Sequence, residues 1–330
     1  MIISIIVPYH KETYRQIQPL LRSINEQIGI NFNNIEIIMS CDVKEGNKDI
    51  DFENFNEFEN IKDRIHKIKS QQENNPGVSR QTAIDYCAGD YVFFCDADDS
   101  LFHYGVLREL FDNIKNSGAD VYRFKFMEEI GVENASDRWY VTKDYDWIWV
   151  FAKAYKVDFL RKNHIKFNPE NRWHEDSYFN MLVKYCDPKV IDVESLPAYL
   201  WRYRNDTITR FNNHEYTFDS AGEYIEAIGR AFHKIINDYK KDCYIDIVKV
   251  IVNYYFVFQN PDNLNKEKYE DNEKCYYEFV KKYLPKLFIE TDNIDELQKL
   301  IGSLMYNING LNYLPEQTLK QYLKYLKKKY

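Results

Sequence analysis

The first residues of the chain form a continuous apolar run. Ile2 to Val7 is rich in β-branched side chains and is closed by Pro8, a pattern typical of a strand buried on both faces and hence of a parallel sheet. Strands predicted at 36–40, 65–68 and 91–94 alternate with helices predicted at 18–27 and 78–87. Pro19 is expected in the first turn of its helix, where a proline is tolerated. Such alternation over short connections predicts right-handed crossovers and a doubly wound α/β sheet flanked by helices.

The rest of the chain divides into two regions by its periodicity. Up to about residue 215 the alternation continues, with helices predicted at 106–115 and 175–184 and strands at 119–126, 147–155 and 199–203. Helical periodicity then dominates, at 225–236, 245–258 and 319–326. We therefore expect an α/β domain over 1–215, with halves at about 1–100 and 101–215, and a helical C-terminal region over 216–330. The sequence leaves the role of that region open.

Charge and cysteine usage argue against several classes of protein. The formal net charge is −8, whereas nonspecific nucleic-acid binding needs a concentrated basic surface. The cysteines lack metal-binding spacing, and the N-terminus lacks the basic flank of a signal peptide. No apolar run approaches the roughly 20 residues that cross a bilayer. We expect a cytoplasmic protein without a transmembrane segment, which would meet a membrane only peripherally, at its surface.

Carboxylates follow the most apolar of the early strands. Asp96, Asp98 and Asp99 come directly after Phe93-Phe94-Cys95, and open α/β sheets bind ligands at the carboxyl ends of their strands. Carboxylate oxygens suit Mg²⁺ or Mn²⁺, which proteins often hold with one or two carboxylates and the phosphates of a substrate. The segment therefore predicts a divalent-metal site for a diphosphate substrate. The alternative is a solvated loop in which Asp99 caps the following helix.

Several segments together carry a family resemblance. In chain order they are Ser4-Ile5-Ile6-Val7-Pro8-Tyr9-His10, Glu36-Ile37-Ile38 leading to Asp42, Pro76-Gly77-Val78-Ser79-Arg80, Ala88-Gly89-Asp90-Tyr91-Val92-Phe93-Phe94-Cys95-Asp96-Ala97-Asp98-Asp99, Trp173-His174-Glu175-Asp176-Ser177, and Tyr203-Arg204 followed by Thr207-Ile208-Thr209. Their order and spacing resemble the family 2 glycosyltransferases of the GT-A fold, over about residues 3–209. The resemblance implies a GT-A type of doubly wound, mostly parallel sheet and does not cover the helical C-terminal extension.

The resemblance assigns a nucleotide site to the first strand ends. It implies that Pro8, Tyr9 and Asp42 bind the base, since a carboxylate accepts from a ring N–H and a tyrosine face packs on a base. The family usually has a second aspartate where this chain has Cys41. Core packing is the alternative role for Tyr9. Arg80 matches the family's helix arginine and is expected to pair with phosphate or with Asp42, or to form a plain surface ion pair.

The resemblance also assigns the metal and the diphosphate. It implies that Asp98 holds Mn²⁺ or Mg²⁺ and that Asp96 contacts the metal or the ribose. Arg204 and Thr207 match the segment that folds over the bound diphosphate, where donors neutralise a leaving group. His214 is a further candidate metal ligand, although a lone loop histidine is more often not a ligand.

A catalytic base is expected at the start of the helix predicted over 175–184. The resemblance places Asp176 in the family's base position, and Glu175 beside it would tune its proton affinity. The backbone N–H groups of a helix N-terminus favour an anionic carboxylate there. The alternative is that Asp176 only caps the helix. Trp173 is a candidate platform for a sugar ring.

These residues together predict inverting transfer of a hexose or N-acetylhexosamine from a UDP-sugar. The acceptor would be a hydroxyl of a glycan, a lipid-linked molecule or a protein, and the residues do not distinguish among these. One alternative is a nucleotidyltransferase with the same carboxylates and metal, which usually has a Gly-rich basic loop after the first strand; Pro8-Tyr9-His10-Lys11 is not such a loop. The other is a catalytically silent sugar-binding protein.

Overall fold

The computed structural model describes residues 1–43, 46, 48–51, 53–131, 138–204, 220–259, 266–285 and 318–330. The chain separates into two compact units, Met1–Asn205 and Asp206–Tyr330. The first unit contains the sheets and the second contains only helices among its described residues.

The strands are β1 (Ile3–Tyr9), β2 (Ile35–Cys41), β3 (Ile65–Lys69), β4 (Tyr91–Phe94), β5 (Ser100–Leu101), β6 (Val121–Arg123), β7 (Phe126–Gly131), β8 (Arg138–Lys143), β9 (Lys153–Lys156), β10 (Val190–Asp192) and β11 (Tyr199–Trp201). The helices of the first unit are α1 (Tyr14–Asn25), α2 (Lys48–Asp51), α3 (Pro76–Tyr86), α4 (Val106–Ser117), α5 (Val157–Lys162) and α6 (Glu175–Tyr185). Those of the second unit are α7 (Ala221–Asn237), α8 (Tyr244–Gln259), α9 (Lys266–Tyr283) and α10 (Leu319–Lys329).

The main sheet has the strand order β10-β6-β9-β4-β1-β2-β3. Only β9 runs against its neighbours, β4 and β6, and the other pairs are parallel. This confirms the predicted mostly parallel, doubly wound sheet. The chain runs outward from β1 through β2 to β3 and returns to the other side of β1 at β4, so the carboxyl ends of β1 and β4 form a topological switch point.

A second sheet has the order β5-β11-β7-β8. The segment predicted as one strand over 119–126 supplies both sheets, because β6 ends at Arg123 and β7 begins at Phe126. Between them Phe124 N donates to Ala152 O at 2.9 Å and Ala198 N donates to Lys125 O at 2.8 Å. The second sheet brings β11 next to β5, which directly follows the carboxylate segment.

Helix α1 begins four residues earlier than predicted, and Pro19 lies inside it rather than in its first turn. The earlier start has a polar cause, since Thr13 N donates to Gln16 Oε1 at 2.7 Å. An internal proline removes one helical hydrogen bond. The helix is held by its buried face, which consists of Ile17, Leu20, Leu21 and Ile24.

The strand predicted at 147–155 forms only at its end, as β9. Residues 144–152, here called the aromatic loop, instead turn around an aspartate side chain: Asp146 Oδ1 accepts from Ile148 N at 2.6 Å and from Trp149 N at 3.0 Å. A short carboxylate of this kind competes with a sheet for backbone donors. The elements β5, β8, β10, α2, α5 and α9 were also not predicted from the sequence. The residues of β8 and α9 lack a continuous apolar pattern.

The helical character of the C-terminal region is confirmed. Glu273 on α9 is fully buried and accepts from Tyr322 Oη on α10 at 2.9 Å and from Lys329 Nζ at 2.8 Å. These contacts fasten α10 to α9. Among the residues that the structure describes, no helix is both long and apolar enough to span a bilayer.

Candidate active site

The switch point gathers the polar residues that follow β1, β2 and β4. His10, Asp42 and Asp96 come directly or one residue after these strands, which lie side by side in parallel register. The sheet therefore brings together segments that are more than 80 residues apart in the chain. This is the ligand edge expected for an open α/β sheet.

Arg80 is the centre of the site. Its side chain is only 5% exposed, and its guanidinium donates to Asp96 Oδ1 at 2.7 Å, to Glu175 Oε1 at 2.6 Å and to Asp176 Oδ1 at 3.1 Å. Burial opposes its charge, but the carboxylates of Asp176, Asp96 and Glu175 outweigh burial and raise the pKa of Arg80. Arg80 pairs with these carboxylates rather than with Asp42, and it is buried rather than part of a surface ion pair.

The start of α3 places Arg80 in this position. Asn75 caps the helix, with its Oδ1 accepting from Val78 N at 3.0 Å, and its backbone N donates to Asp42 Oδ2 at 3.1 Å. At Gly77 an added Cβ would lie 3.0 Å from the Cβ of Glu175. The absence of a side chain there lets α3 approach α6 closely enough for Arg80 to reach both of its acidic residues.

Asp176 is buried and held from two sides. Arg80 donates to Oδ1, and Val150 N of the aromatic loop donates to Oδ2 at 3.1 Å. Its hydrogen bonds therefore go to other elements and not to its own helix, whose N-cap residue is His174. Burial raises the pKa of Asp176 to about 8, with Glu175 and Asp96 contributing and Arg80 opposing. A carboxylate with its pKa near the working pH is suited to general base catalysis.

Asp98 pairs with Arg204. The distance from Arg204 Nη1 to Asp98 Oδ2 is 2.8 Å, and both side chains remain partly exposed. Burial and the neighbouring Asp96 raise the pKa of Asp98 to about 6, although Arg204 opposes this. Burial thus disfavours the charged form of Asp98 in spite of its arginine partner.

The donor set fits a divalent ion that is shared with a substrate. Among the residues that the structure describes, no group of three or more His, Cys, Asp or Glu side chains is arranged to hold a metal by itself. Asp96 and Asp98 are a two-carboxylate set, which suits Mg²⁺ or Mn²⁺ when substrate phosphates complete the coordination.

Asp99 has a structural role that the sequence did not indicate. Its Oδ2 accepts from Tyr199 Oη at 2.7 Å and its Oδ1 accepts from Arg202 N at 2.8 Å. Tyr199 Oη in turn accepts from Asp96 N at 2.8 Å. The buried Asp99 therefore joins the end of β11 to the carboxylate segment, and it does not cap α4, whose N-cap residue is Gly105.

The second sheet positions the segment that carries Arg204. Tyr203 N donates to Glu129 Oε2 at 2.9 Å, and Arg138 lies over the Tyr203 ring at 4.8 Å from its centroid. At Gly131 an added Cβ would lie 2.6 Å from that ring. The β7–β8 hairpin thus clamps Tyr203 and fixes the chain one residue before Arg204.

Asp42 and Tyr9 are both buried in this structure. Asp42 Oδ1 lies 2.5 Å from Nδ1 of the partly exposed His10. The Tyr9 ring is 3% exposed and belongs to the hydrophobic core, so in this structure it packs in the core rather than presenting a face for stacking. Pro8 pairs with Ser40 at the end of β1. Thr207 and His214 lie outside the described residues.

Sequence reasoning gave no role to two residues of the site. His10 was part of a quoted motif, and its position one residue after β1 was an available signal. Tyr199 gave no signal, because a buried aromatic on a short strand resembles any core residue.

The sheet and the carboxylates at its switch point define the class of protein. A mostly parallel sheet with flanking helices and acidic residues at this edge is the architecture of GT-A glycosyltransferases. The chain belongs to glycosyl transferase family 2, whose sequence model matches residues 4–177.

Known proteins agree with this membership. Glycosyltransferase GlyA of Streptococcus pneumoniae is 26% identical over 232 residues, which are 63% of this chain and 31% of GlyA. The chain thus spans about a third of the length of that curated relative. The structure of residues 1–349 of S. aureus TarS in complex with UDP-GlcNAc superposes with a TM-score of 0.66 at 16% identity, covering 88% of this chain and 83% of that one. The Mn²⁺ and GDP-Man complex of the mannosyltransferase PcManGT from Pyrobaculum calidifontis covers 99% of this chain and 86% of that one, at 11% identity and a TM-score of 0.51.

Proposed function

We propose that this glycosyltransferase moves a hexose or N-acetylhexosamine from a UDP-sugar to an acceptor hydroxyl, with inversion and with a divalent metal. The observation that carries the proposal is the Arg80 cluster. One buried guanidinium joins Asp96, on the carboxylate segment, to Asp176 on α6. A donor-side carboxylate and a candidate base are thereby fixed relative to each other, as an in-line displacement requires.

Asp96 and Asp98 would hold Mn²⁺ or Mg²⁺ together with the diphosphate of the donor. The ion would supply charge stabilisation for the departing nucleoside diphosphate. UDP is chosen as the carrier because the S. aureus TarS complex contains UDP-GlcNAc. We propose that residues 1–215 carry the catalytic activity and that the protein is cytoplasmic.

Arg204 would bind the diphosphate beside that ion. Its guanidinium lies next to Asp98 and is held there by the clamp on Tyr203. A fixed cation at this point neutralises the charge that develops on a leaving diphosphate without having to reorganise.

Asp176 would remove the proton of the acceptor hydroxyl. The hydrogen bonds that Asp176 accepts from Arg80 and from Val150 N use only part of the acceptor capacity of a carboxylate. Its raised pKa makes it a stronger proton acceptor than an exposed aspartate. Glu175 keeps the second contact to Arg80 and is proposed to tune this base.

Donor binding tests the proposal. UDP-GlcNAc, UDP-glucose and UDP-galactose are compared by thermal shift with and without Mn²⁺, and a ligand at 100 times its Kd should stabilise the protein by about 2.7 kcal/mol. Release of UDP in the presence of an acceptor is then measured. Free pyrophosphate as the product would instead indicate nucleotidyl transfer, and donor binding without any turnover would indicate a silent sugar-binding protein.

Asp98→Asn should abolish the Mn²⁺-dependent part of that shift while leaving the protein folded. The amide removes an anionic metal ligand, and because burial already disfavours the charge at Asp98 its loss should not destabilise the fold. Asp85→Asn, at an exposed carboxylate on α3, is the matched control and should bind as wild type. Undiminished Mn²⁺ stimulation in Asp98→Asn would refute the metal assignment.

Arg204→Ala should weaken UDP binding about 10-fold to 100-fold and leave uridine binding nearly unchanged. The lost donor is directed at phosphate, and a hydrogen bond to a charged group contributes about 1.5–3 kcal/mol. Calorimetric titration of both ligands gives the two affinities. Equal losses for UDP and uridine would show that Arg204 acts elsewhere.

A further inference from the structure

The aromatic loop, residues 144–152, ends beside the candidate base. Val150 N donates to Asp176 Oδ2 at 3.1 Å, and Trp149 is the preceding residue. Trp149 is only partly buried. The indole of Trp149 therefore belongs to the residue directly before the amide that binds Asp176.

The Trp149 ring is the outer member of an aromatic stack. Tyr199 and Phe151 are parallel to within 10° with centroids 4.7 Å apart, and Phe151 and Trp149 are parallel to within 10° at 5.7 Å. Trp201, also partly buried, lies tilted against Trp149 at 5.1 Å. The stack runs from Tyr199, which binds the carboxylate segment, to the indole at the partly exposed end.

Helix α6 is hydrogen-bonded to the loop. Asn180, one turn after Asp176, is fully buried and donates to Trp149 O at 2.9 Å and to Ile148 O at 3.2 Å. Asp146 supports the other side of the turn through Ile148 N, Trp149 N and Lys153 Nζ. The base and the indole are thus positioned by the same helix, as a preorganised binding surface requires.

The charges around the loop favour a neutral ligand. Among the residues that the structure describes, the cations in contact with the loop are each paired with a carboxylate: Lys153 with Asp146 at 3.2 Å, Arg123 with Asp192 at 2.7 Å and Lys125 with Asp144 at 3.3 Å. A phosphate-bearing acceptor would need cations that are not already neutralised. The partly exposed indole of Trp149, one residue before the amide that binds Asp176, instead fits the apolar C–H face of a sugar whose hydroxyl is to be deprotonated.

We propose that Trp149 is the platform for the acceptor and that the acceptor is a saccharide. This inference rests on the proposed function and specifies its acceptor. Trp149 packs against the sugar ring and directs one hydroxyl toward Asp176, while Phe151 and Asn180 keep the indole in place.

The test uses the full chain with the UDP-sugar that gives the largest Mn²⁺-dependent thermal shift. The acceptor probes are p-nitrophenyl glycosides of glucose, galactose and N-acetylglucosamine, set against glycerol 3-phosphate and a serine-containing peptide. UDP release is measured with each acceptor and with water alone. The saccharides should stimulate release, and the other two probes should not.

Trp149→Leu should lower kcat/KM for the saccharide about 10-fold to 100-fold, a loss typical of a central indole contact. Donor affinity and donor hydrolysis by water should stay within about twofold, because the ring contacts of Trp149 are with Phe151 and Trp201 and not with the proposed donor-binding residues Asp98 and Arg204. Trp149→Phe keeps an aromatic ring on Phe151 and should retain most of the activity. Trp139→Leu, at an indole that is 51% exposed on β8, is the matched control and should behave as wild type.

Three outcomes would overturn the proposal. Stimulation by glycerol 3-phosphate or the peptide alone would show a different acceptor class. Equal effects of Trp149→Leu and Trp139→Leu would remove the platform. Absence of donor binding in the wild-type protein would refute the proposed function itself, and is recognised because it precedes any acceptor measurement.

Discussion

Asp176→Asn should lower the rate of sugar transfer by about 10² to 10⁴, the usual effect of losing a positioned general base. The amide cannot take the proton of the acceptor hydroxyl. Donor affinity should remain close to wild type, because Asp176 faces α3 and the aromatic loop rather than the Asp98–Arg204 pair. Transfer rate and donor affinity are measured on the same preparation.

Asp176→Asn should also lower the free energy of unfolding. Asp176 accepts from both Arg80 and Val150 N, whereas asparagine presents an NH₂ group to one of these donors. An unsatisfied buried donor costs about 1–3 kcal/mol, so the variant should unfold at lower urea concentration yet remain folded at 25 °C. The measured transfer rate is then divided by the fraction of the protein that is folded.

Glu175→Gln is the matched control, because Glu175 contacts the same guanidinium. It should lose far less activity than Asp176→Asn. The wild-type rate should rise as pH increases toward the Asp176 pKa of about 8, since a base acts in its deprotonated form, and Asp176→Asn should lose this rise. If instead Glu175→Gln removed transfer and Asp176→Asn did not, Glu175 would be the base. Donor binding lost together with transfer in Asp176→Asn would place Asp176 in the donor site.

Arg80→Met should destabilise the first unit by about 3–5 kcal/mol, as expected when one partner of a buried ion pair is removed. The substitution leaves Asp96, Glu175 and Asp176 without their shared cation. Urea denaturation followed by tryptophan fluorescence gives the free energy of unfolding. Activity should fall as well, since the base and the carboxylate segment are no longer held together.

The pH dependence of this loss distinguishes charge from packing. Uncompensated carboxylates favour protonation, so the destabilisation should be larger at pH 8 than at pH 5. Arg22→Met removes an arginine that is 54% exposed and 3.7 Å from Glu57, and should change stability by less than about 0.5 kcal/mol. A similar loss at both pH values would mean that packing, not charge, is what Arg80 supplies.

Periodicity and residue type were enough to predict most strands of the main sheet and the helices α1, α3, α4 and α6. β1 is buried along its whole length apart from the partly exposed Pro8, as its continuous apolar run indicated. Prediction failed where a side chain redirected the backbone: Asp146 turned a predicted strand into the aromatic loop. It also failed at β8, whose side chains are mostly exposed and therefore follow no burial pattern.

The sequence by itself determined which chemical groups the site contains, because carboxylates at strand ends and an acidic helix start are local features. Only the tertiary structure decided how they are paired. Arg80 meets Asp96, Glu175 and Asp176 because α3 and α6 approach closely at Gly77, and Asp99 became structural because β11 brings Tyr199 against it. Which buried charges neutralise one another depends on distances of a few ångströms between segments about 100 residues apart, and no local pattern encodes such distances.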